Sequence, residues 1–235
     1  MPAETTSTVR IGDDEYRVRR VFAEELASLD HWVQLDGYGR WSAHDGSFSG
    51  EWLSHSPSLF FREKIVGDYL WQTTVTRLRP DQAFVQRFLA SKWGKGKDPL
   101  SMYNFNFWLR ARAPDGGDFL QQYPTKLGTG WNGMGDDYWH SLYTTVVRSE
   151  EHNWVRLRRS PGYVKVRDVA DVVPFLPYDE PHRVTFVLRS GHVKMYFDDK
   201  LVYDHEDPAP YPSGHIGLCV WLCIVRFEDM VLYRF

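Results

Sequence analysis

Apolar and polar positions alternate along most of this chain, in short runs broken by Gly, Pro, Asp or Asn. A period of two is that of a strand with one buried face, whereas an amphipathic helix repeats near 3.6. The pattern predicts strands at 38-YGRWSAH-44, 46-GSFSGEWL-53, 58-SLFF-61, 68-DYLWQTTVTRL-78, 102-MYNFNFWLRAR-112, 140-HSLYTTVVR-148, 153-NWVRLRR-159 and 163-YVKVRD-168. Further strands follow at 183-RVTFVLR-189, 192-HVKMYFD-198, 200-KLVYD-204, 215-HIGLCVWLC-223 and 225-VRFEDMVLYRF-235. Ser190-Gly191 and Asp198-Asp199 read as tight hairpin turns between them.

Two segments depart from this period. The run 80-PDQAFVQRFLASKWG-94 has Pro at its start, Phe84 and Phe88 one helical turn apart, and a Gly stop, so it predicts a short helix inserted between strands. A helical turn is expected at 23-AEELASL-29. The basic loop 94-GKGKDP-99 lacks the Lys-Ser/Thr ending of a phosphate-binding loop. Residues 1–20 are polar and read as a flexible segment or an edge strand; residues 21–235 read as one domain, with no internal repeat and no linker. So many short strands in one domain imply two packed antiparallel sheets, an all-β sandwich.

Composition sharpens this picture. Ten Trp, thirteen Tyr and fourteen Phe favour strands and stacking surfaces. A net charge of −3 supplies no basic field for nucleic acid or an anionic membrane, and neither partner is expected. No apolar run is long enough for a membrane helix, and MPAETTSTVR has no apolar leader core, so a cytoplasmic location is expected. Cys219 and Cys223 lie roughly 13 Å apart if on one strand, too far to bridge. They read as buried thiols in a reducing compartment.

The C-terminal run 183-RVTFVLRSGHVKMYFDDKLVYDHEDPAPYPSGHIGLCVWLCIVRFEDMVLYRF-235 looks like the closing half of a concanavalin A-like jelly roll. The opening, 29-LDHWVQLDGYGRW-41 followed by 46-GSFSGEW-52, also fits that pattern. Within that superfamily, 135-GDDYWHSLYTTVVR-148 and 156-RLRRSPGY-163 are similar to the YesU-like family of unknown function. The resemblance covers roughly residues 30–235, and the inserted helix departs from the family's shorter connection. It implies a concanavalin A-like β-sandwich (jelly roll) and a carbohydrate-associated protein, one found beside pectin and rhamnogalacturonan degradation, with no settled reaction.

The strand faces point to where a glycan would sit. In 102–112, Tyr103, Phe105, Phe107 and Leu109 share one face, and Asn104, Asn106, Trp108 and Arg110 share the other. The second set offers an indole for the apolar face of a sugar ring, and planar hydrogen-bonding groups for hydroxyls or a carboxylate. Two Asn in a strand run against β-propensity, which favours a groove over a plain solvent face. Trp154, Arg156 and Arg158 form a second row, whose alternative is a charged edge strand. His215, Gly217, Cys219 and Trp221 share a face, with Trp221 either core or sugar platform. The loop at 130–137 of GWNGMGDDYWHSLY would line one end of the groove, with Trp131 stacking on a sugar.

Catalysis has two possible forms, and a metal site is a separate question. A glycosidase needs two carboxylates at ~5–5.5 Å or ~6.5–9.5 Å. The chain has no E-x-D-x-E or E-x-D-x-x-E; Asp136 with a carboxylate from elsewhere stays open. A polysaccharide lyase needs a base such as His140 or Tyr143, and groups such as Asn104, Asn106 and Arg110 to neutralise the substrate carboxylate. His140 and Tyr143 are three apart, hence on opposite faces unless the strand starts after His140. Asp136, Asp137 and His140 form D-D-x-x-H, residue types that suit calcium or a transition metal. The alternative is that Asp136 caps a turn and Asp137 faces water, with no cofactor. A non-catalytic glycan-binding protein would use the same Trp and Asn. A self-associating homodimer would use the aromatic face instead.

Overall fold

A computed structural model describes residues 6–23, 26, 28–35, 39–54, 56–126, 140–149 and 153–235. The strands are β1 (Thr6–Ile11), β2 (Asp14–Ala23), β3 (Trp32–Leu35), β4 (Gly39–His44), β5 (Ser47–Trp52), β6 (Ser58–Phe61), β7 (Ile65–Val66), β8 (Tyr69–Arg77) and β9 (Tyr103–Arg112). They continue with β10 (His140–Arg148), β11 (Asn153–Ser160), β12 (Val164–Ala170), β13 (Pro181–Arg189), β14 (His192–Phe197), β15 (Lys200–Glu206), β16 (Ser213–Trp221) and β17 (Ile224–Arg234). Among the described residues two helices interrupt them, α1 (Gln82–Ala90) and α2 (Phe119–Lys126).

The strands form two antiparallel sheets, as the alternation predicts. One runs β1-β2-β17-β8-β13-β14-β15, with β5 also on β17 and β4 on β5. The other runs β12-β11-β10-β9-β16-β6-β3, with β7 on β16. The core lies between their inner faces. Phe107 of β9 meets Trp71 of β8 (ring centroids 5.6 Å) and Phe186 of β13 (5.0 Å). Each fully buried ring of this kind contributes about 2–3 kcal/mol through burial. Both hairpin turns form where expected, with positive φ at Ser190, Gly191, Asp198 and Asp199, the left-handed pair that a two-residue turn requires.

The N-terminal residues form the hairpin β1–β2, with β1 at the edge of its sheet. Ile11, Tyr16 and Val18 pack with Leu70, Val187 and Tyr196 in a cluster separate from the main core. Tyr16 and Tyr196 share a hydroxyl hydrogen bond of 2.6 Å, and Asp14 accepts from Lys194 Nζ at 3.1 Å and from Tyr196. That hydrogen bonding, Tyr196 first, holds the Asp14 carboxyl below its ordinary range. Ala23 closes β2, and residues 24, 25 and 27 of the expected helical turn lie outside the described residues.

The inserted helix is shorter than its sequence signal. Asp81 caps α1, accepting from Phe84 N at 2.7 Å, and Phe84 and Phe88 pack edge-on against Trp52. A Cβ at Gly94 would stand 2.0 Å from the Phe88 carbonyl oxygen, so only glycine lets the chain turn back this closely. Helix α2 was not expected. The cysteines do not share one strand: β16 ends at Trp221, and Leu222-Cys223 lead into β17. Both are free and buried, and burial pushes the Cys223 thiol up to about 11. Among the described residues no helix is long and apolar enough to cross a membrane.

Candidate functional site

The outer face of the eight-stranded sheet is built by the register of four strands. Trp154 of β11, Val147 of β10, Asn104 of β9 and Trp221 of β16 align in one row. Arg156, Thr145, Asn106 and Cys219 make the next. Arg158, Tyr143, Trp108 and Gly217 make the third. The core face of β9 carries Tyr103, Phe105, Phe107 and Leu109.

A pocket of about 210 Å³ opens on this face. It is lined by Ser56, Trp93, Asn104, Thr145, Trp154, Arg158, Tyr163 and Trp221. Trp93, just past α1, meets Trp221 edge-on at 5.0 Å, so the inserted helix supplies one wall. Arg158 Nη1 donates to the Tyr163 carbonyl oxygen at 3.2 Å, and its guanidinium lies 5.0 Å from the Tyr163 ring. Asn106 Nδ2 donates to Asn104 Oδ1 at 3.2 Å. Thr145 Oγ1 and Asn106 Oδ1 are buried without a hydrogen-bond partner among the described residues. An unpaired buried polar atom costs about 1–3 kcal/mol, so the Thr145 hydroxyl, which lines the pocket, favours a polar occupant.

The same face is closed at its other end. Trp108 is 0% exposed, stacked on Phe60 (5.9 Å, 28°) and against Tyr143 (4.6 Å). Phe119 of α2 packs edge-on to Phe60 at 4.9 Å and sits in the same cluster. Asp118 caps α2, accepting from Leu120 N at 2.9 Å, and lies 3.5 Å from His215 Nε2. His215 is buried, with Nδ1 2.9 Å from the Phe61 carbonyl oxygen, and burial lowers its pKa.

This division sorts the expected residues. Asn104 and Trp154 line the pocket, and Asn106 lies beside Asn104 in the next row. Trp108 does not present its ring to a ligand, because Phe60, Tyr143 and the α2 cluster cover it. Arg110 leaves that face altogether. A register shift between Leu142 and Tyr143 bulges β9, and Arg110 instead donates to the carbonyls of Ile65 (2.8 Å) and Gly67 over the Tyr69 ring. Arg156 is occupied: its guanidinium stacks 3.5 Å from the Trp154 centroid and its Nε lies 3.0 Å from Asp168 Oδ1. Tyr143 is fully buried with its ring edge-on to Tyr163 at 6.1 Å, and burial raises its pKa, which disfavours the phenolate a base would need. His140 stacks on Tyr211 at 5.9 Å and alternates with Leu142 rather than Tyr143, so the expected acid/base pair is not assembled. Asp136, Asp137 and Trp131 lie outside the described residues. Among the described residues no three His, Cys, Asp or Glu stand together as a metal site.

Thr145, Tyr163, Trp93 and Ser56 were missed. Thr145 had a signal, since it alternates with Tyr143 on β10. Trp93 had none, because its place depends on how the chain leaves α1.

No family model matches the chain, and no curated protein matches it. Solved structures do. A protein of unknown function with a galectin-like fold from Bacillus subtilis superposes with a TM-score of 0.72 at 15% identity, covering 92% of this chain and 96% of that one. A Bacillus licheniformis β-glucanase gives 0.56 at 11%, covering 91% and 97%. A carbohydrate-binding module of Bacillus subtilis gives 0.54 at 12%, covering 85% and 93%. At these identities the likeness establishes the fold: a galectin-like, concanavalin A-like jelly roll.

Proposed function

We propose that this protein binds carbohydrate in the pocket over Asn104 and Thr145. The carrying observation is the lining itself: indoles of Trp93, Trp154 and Trp221 around an amide, hydroxyls and a guanidinium. Those are groups that stack on sugar rings and hydrogen-bond their hydroxyls. Structures of the same fold include a carbohydrate-binding module and a glucanase, which agrees with this reading. The lining residues stack and hydrogen-bond rather than exchange protons, which favours binding over turnover. The YesU-like resemblance, a pectin-type ligand and a cytoplasmic setting belong to the same reading.

Calorimetric titration with a panel of neutral and acidic oligosaccharides tests it. Saturable binding is expected for at least one, lost in Trp154→Ala with the thermal transition retained. Mass spectrometry of the same mixtures separates the enzymatic alternative. A gain of water would mean a hydrolase and an unsaturated product a lyase, in either case overturning binding without turnover.

A further inference from the structure

Arg156 and Arg158 stand two apart on one face of β11, but their surroundings differ. Arg156 is neutralised by Asp168, whose other oxygen takes Lys165 at 2.7 Å. Arg158 donates to one main-chain oxygen and has no carboxylate partner among the described residues. A guanidinium carries several N–H donors in a planar fork, so most of its capacity is unspent. It lines the pocket between aromatic rings, and low local polarity strengthens its attraction for an anion. Beside it, Thr145 is 3% exposed and its Oγ1 lacks a partner among the described residues. At the rim, Lys92 Nζ lies 4.7 Å from the Trp93 ring, and Lys95 and Lys97 follow on exposed positions against a single Asp98.

We propose that Arg158 reads a carboxylate on the bound sugar, so that the pocket selects uronic-acid-type ligands over neutral ones. The planar fork pairs with a carboxylate through two parallel hydrogen bonds, while Thr145 Oγ1 takes an adjacent ring hydroxyl. This inference rests on the pocket being a carbohydrate site.

The test uses the full chain and three probes of matched length: an oligogalacturonate, its fully methyl-esterified form and a neutral oligosaccharide. Calorimetry of the wild type should show the acid binding at least about tenfold tighter than the ester. Arg158→Gln should weaken the acid far more than the ester and so remove most of the difference between them. Arg158→Lys, which keeps the charge but loses the fork, should fall between and guards against a misfolded Gln variant. Arg156→Gln should preserve the discrimination. Equal wild-type affinity for acid and ester, or discrimination that survives Arg158→Gln, would overturn the role of Arg158 while carbohydrate binding stands. No binding of any of the three would overturn both.

Discussion

Asn104 and Trp108 share a strand and a face, four residues apart, yet Asn104 floors an open pocket while Trp108 is sealed. Nothing in β9 itself makes the difference. At one end, Phe119 of α2 joins Phe60, Trp108 and Tyr143 in a hydrophobic cluster beside the His215–Asp118 contact. At the other, Trp93 and Trp221 form a wall and leave space over Asn104 and Thr145. A strand's alternation sets which face a residue takes; the elements laid across that face decide whether it binds or packs.

The largest expected effect follows from the closed end. Trp108→Ala should destabilise the fold by about 3–5 kcal/mol, since it leaves a cavity among aromatic rings. Denaturant titration reads this as a lowered midpoint. A near-normal midpoint with lost ligand binding would place Trp108 in the site after all. At the open end, Trp154→Ala should weaken glycan binding about tenfold, equivalent to ~1.4 kcal/mol, with a small change in midpoint. A midpoint shift as large as that of Trp108→Ala would erase the distinction between the two ends.

The sheets were readable because alternation and turn residues agree along the chain, as at Ser190-Gly191. The alternation also put Asn104 and Trp154 on the face where the pocket opens. Trp108 was misread because its cover comes from α2, whose sequence FLQQYPTK carries Pro124 and follows the turn-like 113-APDGGD-118. Arg110 was misread because one bulge reverses the alternation after Leu109, and a bulge set by strand pairing leaves no local mark. Thr145 was passed over because a small hydroxyl in a β-branched run looks like ordinary strand filling.

Two smaller effects sharpen the contrast. Thr145→Val removes an unpaired hydroxyl at nearly constant volume. It should leave the thermal transition unchanged or raised, while lowering ligand affinity by about 0.5–1.5 kcal/mol. A clear loss of stability would mean that the hydroxyl is satisfied within the protein. The smallest effect concerns His215, whose pKa is lowered by burial, with Lys64 adding to it and Asp118 and the Phe61 carbonyl opposing it. The unfolded chain then binds the proton more readily than the folded one. Stability is therefore full above about 6.5, the ordinary histidine value, and declines as pH falls below it. His215→Gln should flatten that part of the pH–stability curve, and an unchanged slope would remove His215 as its source.

The most direct measurement is a two-dimensional amide and indole NMR titration with an oligogalacturonate. Each of the ten tryptophans supplies one indole N–H resonance. The indoles of Trp93, Trp154 and Trp221 should shift together with a single saturation curve, while Trp108 and the core residues Trp32, Trp52 and Trp71 stay in place. Shifts confined to Trp108, or none at Trp154 and Trp221 when ligand binds, would contradict the pocket as the carbohydrate site.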